Sequence, residues 1–303
     1  MSQDKTDFIM FHCDGKTLEY IHMRHGSTTK TTEKTEFQFI QTEVKVVRKR
    51  YITPHYIRIF FTSDDIFRIN SATVGVNNKI MIPPAGATKV HFPEFDYENR
   101  KWLPLPDDIR PAVRTYTHRG IDLENNEIWI DFVAHGDEGP ASKWAINAKE
   151  DDIIGLLMRA GKTDLYIKAE QYVLVGDATA IPVLSTILED LPATAKGICI
   201  IEVYSKEDEQ YLHTNADIEF IWLHNEHPQQ QSDLAETLKK QILPDGSRSA
   251  YVAAEFTTVK EIRHYLRKEK GWKKEELYAY SYWKSGQSED KSTTTRHEES
   301  DEN

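Results

Sequence analysis

The stretch YVLVGDATAIPVLSTILEDL (172–191) decides the fold. It opens as a continuous apolar run, the pattern of a strand buried on both faces, and the run ends at Gly176. AIPVLSTILEDL (180–191) then reads as a helix. The alternation continues toward the C-terminus. KGICIIEVYS (196–205), EFIWLHNE (219–226), SAYVAAE (249–255) and LYAYSYWK (277–284) read as further buried strands. Helical patterns SDLAETLKKQIL (232–243), with Ser232 as candidate N-cap, and TTVKEIRHYLRKEK (257–270) lie between them. Strands alternating with helices over 167–285 predict a doubly wound, mostly parallel α/β sheet.

Upstream, over 37–166, the signals are those of strands. FQFIQTEVKVVRKRYITPHYIRIFFTS (37–63) alternates and is rich in β-branched and aromatic residues, with a break at Thr53-Pro54. IMIPP (80–84), VRTYTHRGID (113–122), EIWIDFVAH (127–135) and IIGLLM (153–158) follow. Many short strands punctuated by Pro and Gly predict a β-barrel or sandwich. One helix, GPASKWAINA (139–148), interrupts it, with Pro140 suited to a first helical position.

The flanks differ from both halves. Residues 1–36 form a polar extension with a short FIMF run (8–11), and 286–303 form an acidic tail. HGSTTKTTEKTE (25–36) and the tail hold too little apolar surface to offset the entropy of ordering, so disorder is expected there, while the FIMF run could pack onto the body as an extra element. His12, Cys13, His22 and His25 match no standard zinc spacing, and no metal site is expected.

Composition narrows the classes further. A chain of 303 residues is long enough for two domains. It is 39% apolar with mean hydropathy −0.60 and contains no run of eighteen apolar residues, so no membrane-spanning helix is expected. The start lacks the basic flank and long apolar stretch of a secretory signal, and Cys13 and Cys199 build no disulfide framework. A cytoplasmic monomer is the expectation. Net charge is −11, of which the last eighteen residues hold −4 and the first thirty-six −1. No basic stripe appears, which argues against nucleic acid as a partner.

A barrel followed by an α/β domain is the layout of flavin reductases of the ferredoxin-reductase type. In those proteins the barrel holds the flavin and the second domain brings in the nicotinamide. Two motifs bear on this. Arg114-Thr115-Tyr116-Thr117 places Arg114 and Tyr116 on one face of a strand. A flavin needs a cation for its pyrophosphate, an aromatic face for its ring and a small hydroxyl near N5. His135-Gly136-Asp137-Glu138-Gly139-Pro140-Ala141-Ser142 runs from a strand into a helix N-terminus. Free N–H groups there, close approach at Gly139 and the Ser142 hydroxyl suit a pyrophosphate. An ordinary Gly-Pro turn capped by Ser would look similar.

From Val46 to Gly286 the sequence resembles the siderophore-interacting proteins, FAD-dependent ferric-siderophore reductases of the ferredoxin-reductase superfamily. The resemblance rests on VVRKRYITPHYIRIFF (46–61), NNKIMIPP (77–84), VRTYTHR (113–119), HGDEGPASKWA (135–145) and VGDATAIP (175–182). The closing YVAAEFTTVKEIRHYLRKEKGWKKEELYAYSYWKSG (251–286) completes it. It implies that Arg114, Tyr116 and Thr117 embrace FAD, with Tyr116 and Thr117 as the candidate catalytic residues. His135, Gly139, Ala141 and Ser142 would hold the diphosphate side. Asp177, Thr179 and Ala180 would lie on the nicotinamide-facing loop, and Glu255 and Trp283 would neighbour the nicotinamide or flavin ring. A Gly-x-Gly-x-x-Gly fingerprint is missing, so the sequence alone supports dinucleotide binding only weakly.

The family also implies basic residues around an open pocket for an anionic ferric siderophore. Lys79 and Lys284 match two of those positions. The turn that usually provides a third reads Met158-Arg159-Ala160-Gly161-Lys162, which leaves Arg159, Lys162 or Arg119 as replacements. The implied reaction passes a hydride from NADH or NADPH to FAD. Single electrons then reduce siderophore-bound Fe(III) to Fe(II), and iron is released. Two alternatives stay open: a flavin reductase serving a protein partner or free flavin, and a non-enzymatic ferric-siderophore carrier.

Overall fold

The computed structural model describes residues 39–287 except 97, 100 and 138. The N-terminal extension with its His and Cys residues, and nearly all of the acidic tail, lie outside the described residues.

The first half contains β1 (Phe39–Thr53), β2 (Tyr56–Thr62), the single-turn α1 (Ile66–Ile69), β3 (Asn77–Ile82), β4 (Phe95–Asp96) and β5 (Lys101–Trp102). β6 (Ala112–Thr117), β7 (Gly120–Asp122), β8 (Glu127–Val133), α2 (Pro140–Asn147) and β9 (Ile153–Arg159) complete it. Seven strands form one antiparallel sheet in the order β6-β3-β9-β1-β2-β8-β7. VRTYTHRGID, expected as one strand, is thus two, and they occupy opposite ends of the sheet. A flat sheet of this width would hold its edges about 29 Å apart. Only His118 and Arg119 separate β6 from β7, a reach of about 10 Å. The sheet must therefore curl until its edges meet. The covalent chain closes the half-barrel where hydrogen bonds do not.

The alternating apolar positions of these strands meet inside. Ile57, Ile59, Phe61, Ile80, Ile130 and Phe132 are all fully buried there. α2 plugs the barrel through Ala141, Ala145 and Trp144. It has no basic residue in its last turn. Lys49 of β1 supplies one, donating to the carbonyls of Ala145 (3.3 Å) and Ile146 (2.6 Å).

The second half runs β10 (Gln171–Asp177), α3 (Ile181–Asp190), β11 (Lys196–Val203), β12 (Asp217–His224), α4 (Leu234–Lys239), β13 (Arg248–Glu255), α5 (Phe256–His264) and β14 (Leu277–Trp283). All pairings are parallel, in the order β12-β11-β10-β13-β14. α4 is shorter than expected and begins after Asp233, because Lys240 and Gln241 turn back onto Thr237 and Leu238. α3 covers one face of the sheet over Leu174, Cys199 and Ile201, while α4 and α5 cover the other over Val173, Val175 and Val252. The winding direction reverses between β10 and β13. That crevice, outside the carboxyl ends of the strands, is where open α/β sheets take ligands. Close approach requires Gly176 there, since a Cβ would lie 2.4 Å from the Ala180 Cβ and 2.9 Å from the Ala253 carbonyl oxygen.

Polar contacts join the halves. Asp208 accepts from the Thr53 hydroxyl, the His55 amide and the His55 ring, each at 2.9 Å. Burial would raise the Asp208 pKa, but bonds from His55, Thr53 and Ser205 outweigh it and lower it. Arg119 grips Glu189 of α3 with bonds of 2.6 and 3.2 Å. Among the described residues no helix is long and apolar enough to cross a membrane.

Candidate functional site

Register sorts the residues of β3 and β6 onto two faces. Asn78 opposes Tyr116 and Ile80 opposes Arg114, facing the barrel interior, where the Tyr116 ring packs 4.6 Å from Phe132. Phe132 in turn lies 5.8 Å from Trp144 of α2. The Arg-Thr-Tyr-Thr strand and the helix after the His-Gly turn, distant in sequence, thereby share one aromatic core. Arg114 Nη1 donates to the Val113 carbonyl at 2.6 Å. Lys79 and Thr115 oppose each other on the other face, where Nζ donates to the Thr115 hydroxyl at 2.5 Å. Thr117 also belongs to that face and is 6% exposed. The structure therefore separates Lys79 and Thr117 from the side of the strand pair that holds Arg114 and Tyr116.

The turn into α2 is built by Ser142. Its hydroxyl donates to the Gly136 carbonyl (2.7 Å) and accepts from the His135 amide (3.0 Å), while Gly136 takes φ +87°. The hydroxyl expected to meet a diphosphate instead holds its own loop together. A Cβ on Gly139 would sit 3.1 Å from the His135 ring, so glycine lets the imidazole close over the helix start. Pro140 has no N–H, and those of Ala141 and Ser142 have no partner within the helix, so the helix start offers two backbone donors of the kind that suit an anion.

At the reversal point, Asp177 ends β10. Its Oδ1 accepts from the Thr179 amide (2.9 Å) and hydroxyl (2.5 Å), and Oδ2 accepts from Trp283 Nε1 (2.7 Å). Burial raises its pKa, with these bonds opposing the rise. Ala180 is fully buried against Gly176 and serves close packing. Glu255, expected beside a ring, uses Oε2 to accept from Thr257 (2.5 Å) and Thr258 (3.4 Å) at the start of α5, while Oε1 accepts from the Ser285 amide (3.1 Å). Lys284, between those anchors, places Nζ 4.3 Å from the centroid of the Phe256 ring.

The remaining candidate cations are placed differently. Lys162 donates to the carbonyls of Asn70 (3.0 Å) and Ala72 (2.7 Å), fastening its turn beside α1. Arg119 is 9% exposed between the halves, so it is an interdomain ion pair rather than an open cation. Arg159 ends β9, paired with Phe39 of β1.

Two residues not anticipated from sequence stand out. Asn78 is 1% exposed and His118 fully buried, and all four of their side-chain polar atoms lack hydrogen-bond partners among the described residues. Burial, then the charge of Lys162, pushes the His118 pKa down to about 4. An alternation-based reading treats both as interior positions but cannot show that they are orphaned.

Comparison with known proteins agrees with this two-part fold. The family model of the siderophore-interacting FAD-binding domain matches residues 45–163, and that of the siderophore-interacting protein matches 169–286. The chain belongs to the siderophore-interacting protein family. The chain is 31% identical to the ferric vibriobactin reductase ViuB of Vibrio cholerae, over 84% of its length and 94% of that protein. Among solved structures it is similar to SipS from Aeromonas hydrophila (29% identity, TM-score 0.72, 86% of this chain and 98% of that one). A siderophore utilization protein from T. fusca is also similar (27% identity, TM-score 0.74, 84% and 97%).

The residues present fit a flavin. Asn78, opposite Tyr116, offers a buried amide donor and acceptor that nothing among the described residues satisfies. The pyrimidine edge of an isoalloxazine carries the complementary acceptor and donor groups. Among the described residues no cluster of three or more His, Cys, Asp or Glu is placed to hold a metal ion.

Proposed function

We propose that this chain is a ferric-siderophore reductase using FAD and a nicotinamide dinucleotide donor. The observation that supports the reading is the shared aromatic core of Tyr116, Phe132 and Trp144, which packs the Arg114–Thr117 strand and α2 into one core. The 31% identity with a ferric vibriobactin reductase supports the acceptor class. FAD, when bound, supplies the conversion between two-electron oxidation of NADH or NADPH and one-electron reduction of Fe(III).

In this reading the chain's residues bind and orient. Arg114 meets the diphosphate with charge, while the Ala141 and Ser142 amides meet it with backbone donors beside His135 and Gly139. Tyr116 offers its ring face, with Thr117 next to it on the other side of the strand. Asp177, Thr179 and Trp283 form the wall on the nicotinamide side, at the crevice between β10 and β13. Lys284 faces the anionic ferric siderophore, whose hard oxygen ligands grip Fe(II) less tightly than Fe(III). The protein then acts in the cytoplasm as a monomer.

One observation favours a second reading. Lys79, Lys162 and Arg119 all engage groups of this chain. A reductase passing electrons to another acceptor would need no basic pocket. A visible spectrum of the purified protein tests both, recorded anaerobically after NADH or NADPH and then after a ferric siderophore. Flavin bands that bleach and then return with iron establish the proposed path. Bands that bleach and stay bleached assign another acceptor. A colourless protein that cannot be reconstituted with FAD overturns both.

A further inference from the structure

We propose that Phe256 is a positioning residue for the anionic ferric substrate, acting through Lys284. The inference rests on the reading of Lys284 as the cation that meets the chelate. The backbone around Lys284 is tethered on both sides. Before it, Trp283 is bonded to Asp177 and paired in register with Glu255. After it, the Ser285 amide donates to Glu255 Oε1 at 3.1 Å, and the Ser285 hydroxyl donates to the Gln229 carbonyl at 2.7 Å. The Gln287 amide closes a turn onto the Lys284 carbonyl at 3.1 Å. With the main chain held, only the lysine's own four-carbon stem decides where the ammonium sits.

That choice falls to Phe256. The ring is the first residue of α5 and is half-buried. The Glu255 carboxylate that caps the helix also receives the Ser285 amide. Ring and lysine are therefore anchored to the same carboxylate from opposite sides. Nζ lies 4.3 Å from the ring centroid, well inside the range of cation–π attraction. A ring face attracts the ammonium without neutralising it, so the full positive charge stays available to an anion. A carboxylate in the same place would have cancelled it. Among the described residues the partner of this ammonium is the ring.

The test uses the full-length FAD-loaded protein with two ferric chelates of opposite charge. Ferric tris(2,3-dihydroxybenzoate) is anionic and ferrioxamine B is cationic. Phe256→Leu removes the π face and keeps apolar bulk, and it should raise KM for the anionic chelate about two- to fivefold. KM for NADH, KM for ferrioxamine B and the flavin spectrum should not move. Phe256→Tyr should keep the wild-type KM. In the Lys284→Ala background, where KM for the anionic chelate is already raised, Phe256→Leu should add nothing. An unchanged or lowered KM in Phe256→Leu, with Lys284→Ala still raised, overturns the role of Phe256 alone. Equal rises for both chelates, or an undiminished effect in the Lys284→Ala background, overturn it too by showing a general packing role. An unchanged KM in Lys284→Ala removes the underlying reading together with the inference.

Discussion

Trp283 Nε1 donates to Asp177 Oδ2 at 2.7 Å, tying the last residue of the last strand to the end of the first strand of the parallel sheet. The two are 106 residues apart in sequence, and β13 lies between their strands. The bond crosses the carboxyl edge of the sheet where the winding reverses, so one carboxylate shapes the wall of the crevice.

Removing that carboxylate leaves the Trp283 indole, the Thr179 amide and the Thr179 hydroxyl without their acceptor. Asp177→Ala should cost about 2–4 kcal/mol of stability in urea denaturation. Trp283→Phe should cost less, and its effect should vanish in the Asp177→Ala background. Independent, additive losses would show that the bond does not couple the two residues.

Arg114 is the cation assigned to the flavin diphosphate. Charge-assisted bonds are worth about 1.5–3 kcal/mol, so Arg114→Ala should weaken FAD binding by about 10- to 100-fold. Equilibrium titration of the apoprotein, followed by flavin fluorescence, reads the change. An unaltered dissociation constant would remove Arg114 from the site.

Asn78 distinguishes a ligand contact from a core defect. Asn78→Val exchanges a buried, unsatisfied carboxamide for an apolar group and should leave the apoprotein as stable or more so. FAD affinity should fall about 5- to 30-fold, the worth of one to two ordinary hydrogen bonds. Higher stability with unchanged affinity would show that Asn78 faces the core alone.

His118 predicts an acid limb in stability. Its folded-state pKa of about 4 lies below the ordinary 6.5, so between those values the unfolded chain holds the proton and the folded chain does not. The stability at stake is fully present above pH 6.5 and is lost as pH falls toward 4. It amounts to on the order of 3 kcal/mol. His118→Leu should flatten that part of the curve in denaturation measured across it. A curve as steep as the wild type's would assign the acid limb to other groups.

The resemblance and the element types were legible because they depend on local patterns. Apolar runs such as YVLVG (172–176) show two-sided burial wherever they pack. The spacing of Arg114 and Tyr116 places them on one strand face without further information. Element ends were less legible. VRTYTHRGID has no Gly or Pro at His118-Arg119, and only curling of the sheet sends its halves to opposite edges.

Local pattern therefore carries the order of the two halves, the family and the short-range motifs. Each follows from residues a few positions apart. Tertiary structure alone decided which charged groups are already partnered. Arg119 and Lys162 look like open cations in sequence, yet they meet Glu189 and the Asn70 and Ala72 carbonyls across 70, 92 and 90 residues of chain. The same long-range folding brings Glu255 to Ser285, and Phe256 under Lys284. A side chain's charge is written in the sequence, but whether it is neutralised, buried or held ready depends on groups that only the closed fold brings within a few ångströms.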